Sequence, residues 1–158
     1  MRVAILSGLL AGALAGSSVA SEASGAAQLE ASLDHFCELV NQGKASEAVA
    51  YFLPDATIIE DLAPYSWHGP TAGMEWLQAM NANAERSGMS GVNMHFLPAT
   101  MVQITGERAY AVIPGDLTYS FKDGTVRHAQ GHVTFSLRKV AADWRIGSLT
   151  WAWERAGQ

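Results

Sequence analysis

Residues 92–153, VNMHFLPATMVQITGERAYAVIPGDLTYSFKDGTVRHAQGHVTFSLRKVAADWRIGSLTWAW, decide the fold. Runs rich in β-branched and aromatic residues follow one another with only turn signals between them, which predicts strands over 92–104, 108–121, 126–140 and 144–153. The turns fall at Thr105-Gly106-Glu107, Lys122-Asp123-Gly124 and Ala141-Ala142-Asp143, and Asp123-Gly124 between apolar runs is a strong hairpin signal. Pro98, Pro114 and Gly115 interrupt two of the strands, so bulges or bends are expected there, curving the sheet.

Upstream the period changes from two to three and four. Leu29, Leu33, Phe36, Cys37 and Val40 form the stripe of an amphipathic helix beginning near Gln28 and stopped by Gly43. A short helix is expected over 46–52, closed by Pro54-Asp55, then a first strand over 56–62 and a loop over 64–70. A third helix is expected over 71–86, with Met74, Leu77 and Met80 on one face, Trp76 at its flank, and Gly88 and Gly91 ending it. Helices first and a meander afterwards make an α+β domain, three helices packed on a strongly curved antiparallel sheet.

Residues 1–20 read as a signal peptide: Arg2, an uncharged run from Val3 to Gly16, and Ser18-Val19-Ala20 before the cut. The run is too short to span a bilayer. Residues 21–27 are expected to be a disordered leader and 28–156 the domain, working in the periplasm or outside the cell with no membrane contact after cleavage. The 158 residues are 49% hydrophobic and 16% charged, the composition of one folded domain with a single core. Without Arg2, nine bases face fifteen acids, which argues against nucleic-acid binding. One cysteine excludes an internal disulfide and a Cys-cluster zinc site, and no HxH or HExxH spacing points to a metal. No cofactor is expected.

The succession of a helix, Asn41-Gln42-Gly43-Lys44, a short helix ending Tyr51-Phe52, Pro54-Asp55-Ala56-Thr57, Glu60-Asp61, and Trp67-His68-Gly69 opening a helix resembles the nuclear-transport-factor-2-like superfamily. The close, Phe135-Ser136-Leu137-Arg138-Lys139 with Asp143-Trp144-Arg145-Ile146, is similar to the last hairpin of its SnoaL-like and ketosteroid-isomerase-like members. The resemblance implies a cone of helices wrapped by the sheet, an apolar pocket, and a homodimer through the outer sheet face. It covers isomerases, dehydratases and hydrolases as well as domains that only bind or assemble, so fold does not settle function.

The resemblance makes Asp61 the candidate general base, at the end of the first strand. A carboxylate facing an apolar cone is desolvated and more basic. Two departures count against a true steroid isomerase: the helix tyrosine of its oxyanion hole falls on Phe36, and the second acid near Val133 or His132. Strand alternation puts His128 and His132 on one face, both into the pocket or both away from it. His132 and Tyr119 are the candidates to act with Asp61. Tyr51, Trp67, Trp76, Met80, Tyr110, Trp151 and Trp153 are the candidate lining for a small hydrophobic molecule. Three functions stay open: a lyase, isomerase or hydrolase; a non-catalytic binding protein; and an assembly module with a plugged cone.

Overall fold

The computed structural model describes residues 15–154, with side chains from residue 23 onward. Its elements are α1 (Ala15–Asn41), α2 (Ala45–Val49), β1 (Phe52–Ile59), β2 (Ser66–His68), α3 (Ala72–Arg86), β3 (Met89–Phe96), β4 (Met101–Thr105), β5 (Arg108–Phe121), β6 (Val126–Val140) and β7 (Asp143–Trp153). The sheet order is β2-β1-β7-β6-β5-β3, with β4 also on β5. Every pair is antiparallel except β1 with β7, which run parallel.

Alternation along β5 and β6 shows how the sheet is used. Ala109, Ala111, Ile113 and Leu117 of β5 and Val133, Phe135 and Leu137 of β6 are buried on the inner face, in one cluster with Leu29, Leu33 and Phe36 of α1 and Trp76 and Leu77 of α3. Phe36, Leu29 and Leu33 of α1 meet Phe135, Ile58 and Ile146 of the sheet in a core of fully buried side chains. Burying each of these contributes about 1.5–3 kcal/mol.

Several boundaries differ from the sequence reading. The segment 21–27, expected as a disordered leader, is helical, part of an α1 that runs from Ala15; Gly25 lies so close to β4 that a Cβ there would sit 3.3 Å from Ile104. Residues 1–14, most of the expected signal peptide, lie outside the described residues. The short helix stops at Val49, and β1 begins at Phe52 rather than 56. Pro54 does not break β1, because between Phe52↔Ile146 and Thr57↔Ser148 the ladder with β7 is bulged and needs no N–H from it. The expected loop over 64–70 contains β2, which pairs with β1.

The expected strand 92–104 is two strands. β3 pairs with the second half of β5 and β4 with the first, and Leu97-Pro98-Ala99-Thr100 carries the chain between them. Pro114 sits at the changeover. Its carbonyl accepts from Leu97 N (2.9 Å) toward β3 and β4, so its missing N–H falls where neither strand needs a donor. On the edge strand β3, the Asn41 side chain donates to the Met94 carbonyl (2.6 Å) and accepts from the Met94 N–H (2.9 Å), tying the end of α1 to the open ladder.

Candidate functional site

On β1, Ala56 and Ile58 are buried on the inner face, and the next residue in phase is Glu60. Its carboxylate is half-buried and accepts a hydrogen bond from the Trp76 indole N–H of α3. Burial pushes the Glu60 carboxyl above its ordinary range; the Trp76 bond pulls the other way, and the charge of Asp61 adds to the rise. Neither Glu60 nor Asp61 is in an ion pair with a basic side chain among the described residues.

Tyr119, on the inner face of β5, is pushed up to about 12, first by burial and then by the negative charges of Glu60 and Asp61. It lies 6.4 Å from Trp153, which stands edge to face against Trp151 at 5.1 Å. Trp151 in turn rests over Gly115 and Gly131, where a Cβ would fall 3.1 Å and 2.6 Å from its ring. The two glycines face each other across β5 and β6 and leave the space the indole occupies. Met80 lies one turn beyond Trp76 on α3 and is half-buried against the core. Carboxyl, phenol and indole groups thus gather at one end of the inner face: an acid made more basic by burial, with hydroxyl and N–H donors near it, suited to moving a proton within an apolar surround.

Of the residues singled out in the sequence, Tyr119, Trp76, Met80, Trp151 and Trp153 belong to this region. Asp61 does not; it is one residue past the inward phase and exposed, and the acid in phase with the inner face is Glu60. His132 is also corrected. Its position between buried Gly131 and Val133 turns it to the outer face, where Nδ1 lies 3.3 Å from Glu154, and His128 beside it meets the Thr118 hydroxyl at 3.2 Å. Tyr110 points outward too and is 41% exposed. Trp67 is a buried core residue opposite Ile58. Tyr51 packs on His35 and Phe36 beside Arg145, near the β6–β7 hairpin rather than Glu60. Among the described residues, no three His, Cys, Asp or Glu side chains converge to hold a metal. A hollow of about 400 Å³ is lined by Ala26 and by 102–105 of β4, which pair with the opposite end of β5 from Tyr119.

The model of the SnoaL-like domain matches residues 22–150. The chain belongs to the SnoaL-like family. Among curated proteins none matches it in sequence. Among solved structures it is similar to a protein assigned as a scytalone dehydratase from Novosphingobium aromaticivorans (12% identity, 87% of this chain and 89% of the other, TM-score 0.73). It is similar also to a type 2 hexachlorocyclohexane dehydrochlorinase (9%, 87% and 88%, 0.65). A nuclear-transport-factor-2-like superfamily protein from Salmonella enterica serovar Typhimurium matches over 91% of this chain and 96% of its own (14%, 0.61). At such identities the likeness is one of fold, the cone of the nuclear-transport-factor-2-like superfamily.

Glu60 was the residue the sequence reading passed over. The signal was present: Ala56, Ile58 and Glu60 share one strand face, and the family resemblance drew the choice to the second acid of the pair.

Proposed function

We propose that this SnoaL-like domain binds a small, mainly apolar molecule at the Glu60 end of its inner sheet face and moves a proton on it, with Glu60 as the acid-base group and Tyr119 as its hydroxyl partner. The observation that carries the reading is Glu60 itself, a carboxyl in phase with the core, held by Trp76 and made more basic by burial. Of the structures it is similar to, one is a dehydrochlorinase and another is assigned as a dehydratase; both names describe elimination of a small group, and proton removal from carbon opens such a reaction. Elimination makes a lyase the first reading, with isomerase and hydrolase the other acid-base classes the family resemblance offers. In the same reading the domain is exported, its first twenty residues are removed, and it pairs with a second copy through the outer sheet face.

The test is turnover, or exchange of carbon-bound protons for deuterium, over a panel of hydrophobic carbonyl compounds. Glu60→Gln keeps the shape and the Trp76 acceptor and should lower the rate by about 10²- to 10⁴-fold. Unchanged turnover in that variant removes Glu60 as the base. Binding with no turnover in either protein leaves the non-catalytic binding reading in its place.

A further inference from the structure

Two buried side-chain polar atoms have no hydrogen-bond partner among the described residues, the indole nitrogens of Trp144 and Trp151. Trp144 lies under Lys139 at the β6–β7 hairpin and plugs that end of the core. Trp151 is placed differently. The parallel ladder pairs Ile58 with Leu149 and ends with Ile59 on Thr150, so Glu60 and Trp151 are the residues that follow its last pair on β1 and β7, each in phase with the inner face. Trp151 is 9% exposed, and its ring is seated by Gly115 and Gly131. An N–H left without an acceptor in such a place is disfavoured, and the disfavour is relieved when an acceptor arrives.

Resting on the proposed site, we propose that the Trp151 indole N–H holds a carbonyl oxygen of the molecule bound beside Glu60, so that the ligands are apolar carbonyl compounds rather than hydrocarbons. Trp153, 38% exposed and packed edge to face on Trp151, is the side chain that moves aside to admit them. The arrangement supplies the donor that Phe36 and Val133 lack. When Glu60 takes the proton from the carbon next to the carbonyl, the C–H electron pair becomes the C=C bond of an enolate. The carbonyl π pair moves onto oxygen, where the Trp151 N–H meets it, and returning the proton to carbon restores Glu60.

The experiment uses the ¹⁵N-labelled full chain and follows the indole N–H signals, with Trp151→Phe assigning its own. Cyclohexanone and methylenecyclohexane, alike in shape but only one with an acceptor, are titrated in turn. Cyclohexanone should move the Trp151 proton downfield and methylenecyclohexane should not. Trp151→Phe should weaken cyclohexanone about tenfold and leave the hydrocarbon unchanged. If cyclohexanone moves the Trp76 signal, which reports on Glu60, while Trp151 stays still, the inference falls and the site stands; if neither moves, both fall. The face of Trp153 is the competing acceptor. If Trp153→Leu shifts the ligand-free Trp151 signal and cyclohexanone then leaves that signal in place, the inference is likewise overturned, whether or not Trp151→Phe folds.

Discussion

Replacing Gly131 with alanine should be among the costliest single-methyl additions in the sheet. The new Cβ would lie 2.6 Å from the Trp151 ring and 2.7 Å from the Ala152 carbonyl oxygen. Carbon atoms pack best at about 3.5–4.0 Å, so the indole must retreat by roughly 1 Å. The carbonyl belongs to the β6–β7 ladder and cannot follow without loosening it. Overpacking of this kind costs about 1–3 kcal/mol, and the backbone contact places Gly131→Ala in the upper half of that range. For a domain of this size each kcal/mol lowers the melting temperature by about 3–5 °C, so a loss on the order of 10 °C is expected. Gly115→Ala meets only the tip of the same ring, at 3.1 Å, and should cost under about 1 kcal/mol; Gly147→Ala meets nothing closer than 3.5 Å and should be near neutral. Thermal unfolding of the three variants by calorimetry is the assay. Equal melting temperatures for Gly131→Ala and the parent chain would show that Trp151 does not rest on β6, and would refute its seating over Gly131 and Gly115.

The buried carboxyl should also be visible in stability. Because the folded state raises the Glu60 pKa, its contribution is present below the ordinary carboxylate range and is lost as pH rises through the folded value, so Glu60→Gln should be the more stable protein at pH 7 and the difference should close in acid; denaturant melts at several pH values check this. The Tyr119 hydroxyl, pushed up to about 12, contributes stability that is present below its ordinary value of 10 and is lost as pH rises toward the folded value, and that loss should be absent from Tyr119→Phe over the same alkaline range. Asn41→Ala should cost about 1–3 kcal/mol in denaturant melts by leaving the Met94 N–H on edge strand β3 without its acceptor and the Met94 carbonyl with only the weak Cys37 thiol donor. Cys37, buried with its thiol pushed up to about 12 by burial first and Asp34 second, should resist iodoacetamide at pH 8 until the chain is unfolded.

The long strands were legible in the sequence because local signals and the global fold agreed. β5 and β6 run over the expected residues, set by Asp123-Gly124 between them and by clean alternation of apolar side chains. β1 was misplaced because Pro54-Asp55 has the composition of a helix stop, and only the bulged ladder with β7 shows why proline is tolerated there. The break in 92–104 depends on two segments sharing one partner strand, a long-range fact with no local signature beyond Pro98. In the site, the alternation of Ala56, Ile58 and Glu60 carried the signal for the inward acid, but the family resemblance pointed to Asp61 instead. The outward turn of His132 was hidden because its neighbour Gly131 has no side chain to betray burial, and the large residue that covers it, Trp151, comes from another strand.

Glu60 is the inward carboxyl, and its charge acts on Tyr119. A titration of side-chain carboxyl carbons by ¹³C NMR, repeated on Glu60→Gln while following the Tyr119 ring carbon, measures this directly. Glu60 should titrate above the ordinary glutamate value, and Tyr119 should ionise at lower pH in Glu60→Gln than in the parent chain. A Glu60 carboxyl titrating at or below the ordinary value, with Tyr119 indifferent to its removal, would contradict the account.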